Sequence, residues 1–189
     1  KLSKNVNYEK STDSIVYFYN ILKQKFTNKI VVKNLFDIHQ ITFFDNFVFL
    51  TETGKNRIQV LNILNSEIDF FINIGEIRKD VNHINAINID KNFLYIGLNN
   101  GHEKNEFKNA QIIKIPTDQV LKLKSFDALN HGNLINLNGV YHTHDIEKFD
   151  DDYLVSSSNL GKIYSLNTKK FITDINPWTR GIAVGPNSI

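Results

Sequence analysis

One order of short segments recurs three times along the chain and constrains the fold more than any other feature. An apolar-alternating run, an Asp/Asn turn, a second run, a turn rich in Gly and Asn, and a third run appear first as His39–Phe44, Phe47–Thr51 and Arg57–Ile63. The same order returns as Asn85–Ile89, Phe93–Leu98 and Gln111–Ile115, and again as His144–Phe149, Tyr153–Ser157 and Lys162–Asn167. Alternation with a period of two places successive side chains on opposite faces of a sheet, and Asp, Asn and Gly tolerate the positive φ angles that tight hairpins require. Each series therefore predicts a three-stranded antiparallel meander. A fourth run follows each series, at Ile68–Ile74, Val120–Phe126 and Phe171–Ile175.

Composition agrees with strands. The chain holds 25 Ile and 14 Phe against four Ala, a usage that suits pleated surfaces better than helices. A four-stranded sheet with Ile, Phe and Val on both faces must be covered twice, and stacking one such unit on the next does this. Units of about 40 to 50 residues have the period of propeller blades. The fold expected is all-β, a β-propeller of four-stranded antiparallel blades forming one domain over residues 1–189. Blade units fall near 39–75, 85–127 and 144–176, with 14–32 and 180–189 as partial blades. This makes about three and a half blades of a longer propeller, since the lone first strand Arg180–Val184 would otherwise expose an edge. Asp13–Phe26 and Thr117–Leu129 also carry helical patterning, but their register with plain strands favours strand for both.

Several function classes drop out. A formal charge of +2, with Lys, Asp and Glu scattered, provides no basic stripe for nucleic acid. No run approaches the roughly 18 uncharged apolar residues of a membrane helix, so a soluble protein without a membrane partner is expected. Without Cys there is no disulfide framework or thiolate chemistry, and the compartment stays open. No G-x-S-x-G, Walker, dinucleotide or H-E-x-x-H motif occurs.

One polar residue stands before or at the start of each first strand: His39, Asn85, His144 and Arg180, with His83 two positions ahead of Asn85. First strands line the axis of a propeller, so these five residues should meet at one mouth, the usual binding site of that architecture. Arg180 could hold a carboxylate or phosphate in a bidentate manner, or instead bridge to Asp37 or Asp145. His39, His83 and His144 could hold Zn²⁺ or Mn²⁺ and activate water, or instead bond backbone carbonyls of neighbouring strands. His142 and His144 form an H-x-H pair, Asp150–Asp152 reads as a solvated hairpin, and the insertion Gly101–Asn109 could overhang the mouth.

The segment Tyr141–Val184, with its T-H-D-I, S-N-L-G and W-T-R-G-I stretches, resembles an uncharacterised bacterial family whose pattern includes P-H-S-P, S-G-x-G and F-T-R-G-L. The family's earlier H-D-I and C-H-L-N-G motifs resemble Ile38–Ile41 and Asn82–Ala86. Gln40 replaces an acid, Ala86 a glycine, and Thr143 and Ile146 the two prolines. The resemblance covers roughly residues 35–185 and implies a propeller-like fold longer than this chain, with no activity attached.

Three functions follow as expectations. The first is a binding module for a small polar or anionic ligand, using Arg180 for charge and His39, His83, Asn85 and His144 for hydrogen bonds. The second is a metal-dependent hydrolase or lyase using the His set, and the third a scaffold for a protein partner.

Overall fold

The structure is a computed structural model and describes residues 12–75, 82–99, 109–175 and 178–185. Its strands form one two-stranded ribbon and three larger sheets. In the ribbon, β1 (Thr12–Asn20) pairs antiparallel with β2 (Lys25–Leu35). The first sheet is built from β3 (Ile38–Phe44), β4 (Phe47–Glu52), β5 (Arg57–Asn62) and β6 (Glu67–Asn73), each antiparallel to the one before. In the second, β7 (Ile84–Ile89), β8 (Phe93–Leu98) and β9 (Gln111–Pro116) repeat the meander.

The chain between the third and fourth strands of the second sheet differs from expectation. Thr117–Leu123 is a helix, α1, with Asp118 in its first turn, Lys122 in its last and Val120 buried. Those charges suit the helix dipole, and the fixed φ of Pro116 suits its start. Phe126–Asp127, β10, then joins the first sheet, running parallel to β6 so that Phe126 lies opposite Ile72. After a short helix, α2 (Ala128–His131), the fourth strand is β11 (Asn133–Asn136), paired antiparallel with β9. The expected strand Val120–Phe126 is therefore replaced by a helical crossover that staples the first two sheets together. The third sheet has the simple order β12 (Ile146–Phe149), β13 (Asp152–Ser157), β14 (Lys162–Ser165) and β15 (Lys170–Asp174). Arg180–Val184 is not a strand, having no ladder partner among the described residues.

Period-two alternation sends each strand's side chains into two different cores. Val48 and Leu50 of β4 pack on Ile30, Val32 and Leu35 of the ribbon, while Phe49 between them joins Ile87, Leu94 and Ile96 of the second sheet. On β8, Leu94, Ile96 and Leu98 face the first sheet, whereas Tyr95 turns to Tyr153, Val155 and Tyr164 of the third. On β13 the neighbour Leu154 turns the other way, to Ile163 and Ile182. The sheets thus stack in series, face on face, and the first strands β3, β7 and β12 are neighbours along one side. Both ends of the stack expose apolar side chains, among them Tyr17, Tyr19 and Phe26 on the ribbon and Ile172 and Ile175 on the third sheet. No helix among the described residues is long and apolar enough to cross a membrane.

Candidate functional site at the first-strand ends

The three first strands open in one way. Asp37, His83 and His142 have φ of 56°, 47° and 54°, and their carbonyls accept hydrogen bonds from the backbone N–H of Thr53, Asn99 and Ser158 at 2.9, 3.3 and 3.2 Å. Two residues after each left-handed position stand His39, Asn85 and His144. In the first two sheets the ladder then slips by one residue, because Ile38 and Ile41 oppose Glu52 and Leu50, and Ile84 and Ala86 oppose Leu98 and Gly97. In the third, the N–H groups of His144 and Asp145 both donate to Ser156 Oγ, at 3.1 and 2.9 Å, just before the ladder begins. A bulge of this kind re-aims a side chain at a sheet edge, and here it acts at two of the three register-matched positions.

The mouth is assembled from two linked groups. His39 and His83 meet edge to face with ring centroids 5.2 Å apart, and His39 Nε2 lies 3.2 Å from Asp37 Oδ1. Trp178 lies 6.0 Å from the His144 ring, 6.2 Å from that of His142 and 5.8 Å from the guanidinium carbon of Arg180. Arg180, His39 and His142 lie near enough to His144 for their charged forms to disfavour its protonation, which ties the groups together. Asn85 is deeper, 2% exposed. Arg180 is exposed and forms no ion pair with a described residue; its two expected partners are engaged elsewhere.

His144 is fixed as a neutral ring. Its Nδ1 lies 2.9 Å from the His142 carbonyl and 2.8 Å from Ser158 Oγ, whose own hydroxyl donates to the Thr179 carbonyl. This network assigns the proton to Nδ1 and leaves Nε2 as an acceptor. Burial pushes the ring below its ordinary value of 6.5, the hydrogen bond to the His142 carbonyl opposes this, and the nearby cations add to the lowering. An imidazole with a depressed folded-state value costs stability as pH falls through the unfolded-state value, because only the unfolded chain takes up the proton. Thermal melts from pH 7 to 5 are expected to show falling stability, and His144→Gln should flatten part of that slope.

Among the described residues no group of three His, Asp or Glu side chains is arranged to hold a metal ion. The set His39, His83 and His144 is therefore not such a ligand cluster among the described residues. Asp150–Asp152 is a hairpin turn, with Asp152 Oδ1 accepting from the Tyr153 N–H at 2.7 Å. Of the insertion Gly101–Asn109, all but Asn109 lies outside the described residues.

Sequence reasoning missed the layer beneath the mouth. Gln40 reaches from the first sheet to both of the others: its Oε1 accepts from the Ile87 N–H at 2.5 Å and its Nε2 donates to Asp145 Oδ1 at 2.8 Å. Asp145 Oδ2 in turn accepts from the Ile182 N–H at 2.7 Å. Gln40, Ala86, Asp145 and Gly181 hold the same register position, so each long polar side chain ties its sheet to the next repeat. Arg180–Ile182 follows this pattern without being a strand. A second tie recurs at the residue directly after the second strand, where Thr53 Oγ1 donates to the Ile84 carbonyl at 2.5 Å and Ser158 Oγ donates to that of Thr179.

No protein-family model matches the chain, and no curated protein matches it significantly. Among solved structures, Kuenenia stuttgartiensis hydrazine synthase is similar over 84% of this chain and 42% of that one, with 12% identity and a TM-score of 0.55. Kluyveromyces marxianus Hsv2 is similar over 84% and 44%, with 12% identity and a TM-score of 0.46. The chain thus spans less than half the length of the solved chains it matches. At this identity, the first likeness concerns the fold alone.

Proposed function

We propose that the chain is a β-propeller binding module, its three sheets acting as blades of a longer ring, with a mouth that takes a small polar or anionic ligand. The propeller reading is supported by the serial register of the first strands and by the apolar faces left exposed at both ends of the stack, which further blades of the same kind would cover. The resemblance to the uncharacterised bacterial family belongs to the same proposal.

The observation that carries the ligand reading is the guanidinium of Arg180, exposed beside the imidazoles of the mouth and without an ion pair to any described residue. Asp37 is taken up by His39 and Asp145 by Gln40 and the Ile182 N–H, which leaves the cation available to an incoming anion. Arg180 binds the charge, and His39, His83, Asn85 and His144 supply hydrogen bonds.

With malate and D-glucuronate as probes, calorimetry on Arg180→Ala is expected to show binding weakened about tenfold to a hundredfold, as loss of a charge-assisted pair implies. The melting temperature of the free protein should hardly move, because Arg180 is exposed. Unchanged binding would remove Arg180 from the site.

A further inference from the structure

The three junctions between consecutive repeats differ at their mouth ends. Between the first and second sheets, Gln40 accepts from the Ile87 N–H and Thr53 donates to the Ile84 carbonyl. From the third sheet to the Arg180–Ile182 segment, Asp145 accepts from the Ile182 N–H and Ser158 donates to the Thr179 carbonyl. Between the second and third sheets neither tie exists. Ala86 has no polar side chain at the first position, so the Ile146 N–H turns to its own neighbour Asp145. Asn99 fills the second position, and both its side-chain atoms are buried without a hydrogen bond.

Three residues on or beside the strands that meet here carry buried polar atoms without a partner, as Thr179 does at the next junction. Asn85 is 2% exposed with both amide atoms unpartnered, and Thr143 is fully buried with its hydroxyl unpartnered. Asn85 precedes Ala86, which lies opposite Gly97, and Asn99 follows two residues after Gly97. A Cβ built on Gly97 would stand 2.8 Å from Ala86 Cβ and 3.2 Å from Thr143 Cγ2, so Thr143 lies over the same spot. At the other end the junction is firmly closed, with Lys148 Nζ and Tyr153 OH 2.7 and 2.6 Å from Asp90 Oδ2. A junction braced at one end and holding buried, unsatisfied neutral polar groups at the other has the chemistry of a recognition site, because such groups cost about 1 to 3 kcal/mol each when left bare.

We propose that the mouth end of the junction between the second and third sheets, lined by Asn85, Asn99 and Thr143, holds the hydroxyl-bearing part of a polyhydroxylated carboxylate of the sugar-acid class. This rests on the reading of Arg180 as the anchor of the carboxylate. The amides of Asn85 and Asn99 offer donors and acceptors together, Thr143 adds a hydroxyl, and the Nε2 acceptor of neutral His144 suits an O–H donor. Trp178, half exposed between His144 and Arg180, adds an apolar surface for the carbon skeleton.

The test measures binding of D-glucuronate and of cyclohexanecarboxylate, a ring of the same size without hydroxyls, to the wild type, Thr143→Val, Asn85→Leu and Arg180→Ala. Wild type should prefer glucuronate at least tenfold. Thr143→Val, which keeps the shape, should reduce that preference severalfold, and Asn85→Leu should remove it, with cyclohexanecarboxylate affinity unchanged in both. Arg180→Ala should weaken both acids equally. Equal affinity of the two acids for wild type, no binding of either, or a preference that survives in Thr143→Val and Asn85→Leu overturns the proposal. So does a crystal grown with glucuronate that shows no sugar acid at the mouth end of this junction. If Arg180→Ala has no effect while the other two variants behave as expected, the anchor reading fails and the junction assignment stands. Should Asn85→Leu not fold, Thr143→Val decides.

Discussion

Asp145→Ala is expected to lower the unfolding free energy by about 3 kcal/mol, an amount that follows from losing hydrogen bonds to a charged acceptor at about 1.5 to 3 kcal/mol each, partly replaced by water. For a domain of this size the melting temperature should drop by about 6 to 12 °C. The carboxylate accepts from Gln40 Nε2 at 2.8 Å, from the Ile146 N–H at 3.0 Å and from the Ile182 N–H at 2.7 Å, so alanine strands two backbone donors and one amide. Asp145→Asn keeps the volume but turns an N–H₂ toward one donor, and about half the loss is expected. The single tryptophan makes the location of the damage measurable, because Trp178 lies just ahead of Ile182. In guanidinium titrations of Asp145→Ala, Trp fluorescence should change at lower denaturant than far-ultraviolet circular dichroism, which reports the sheets. Coincident transitions with a loss below about 1 kcal/mol would mean that Asp145 does not hold the Arg180–Ile182 segment in place.

Asp90→Ala should be as costly, again about 3 kcal/mol, through a different part of the fold. Burial acts to raise this carboxyl. Hydrogen bonds from Lys148, Tyr153 and the backbone N–H groups of Phe93 and Asn92 outweigh burial and hold it far below its ordinary value of 3.8. An acid lowered in the folded state adds stability above its unfolded value and loses it as pH falls. Between about pH 4 and pH 2 the wild type is therefore expected to lose stability faster than Asp90→Ala. Tyr153→Phe should cost about 1.5 to 3 kcal/mol, one hydrogen bond to a charged acceptor. The same carboxylate helps keep both neighbouring phenols protonated: burial first, then the charge of Asp90, pushes Tyr95 up to about 12, and Tyr153 also lies above the ordinary range. Parallel acid-denaturation curves for wild type and Asp90→Ala would count against this account.

Strand positions were readable from the sequence because alternation and turn chemistry are local properties. The runs at Ile68–Ile74 and Phe171–Ile175 emerge as β6 and β15 nearly residue for residue. Val120–Phe126 misled because Val120 and Phe126 are both buried, and an apolar pair in a short segment serves a helix and a parallel edge strand equally well. Register made the positions of His39, Asn85 and His144 legible, since an equivalent place in each repeat becomes an equivalent place at one sheet end. What the mouth does with them was not legible. Whether an imidazole meets another imidazole, a tryptophan or an aspartate depends on side-chain direction, and the bulges that set it appear only as one extra residue between Ile38 and Ile41 or Ile84 and Ala86. Asn99 and Thr143 carried a signal of the same kind: aligned with Thr53 and Ser158, Asn99 replaces a short hydroxyl by an amide, and Thr143 stands where the second repeat has Ile84.

The uneven closure of the junction between the second and third sheets gives it a lever arm. Strand β7 is six residues long, about 20 Å from the Asp90 end to the mouth at a rise of about 3.3 Å per residue. A relative tilt of only about 5° about the Asp90 end displaces the far tips by about 1.7 Å over that length, more than the radius of a water molecule. Small angular adjustments there become changes in gape, and the fulcrum is a cluster of two phenols, one lysine and one carboxylate far from the mouth.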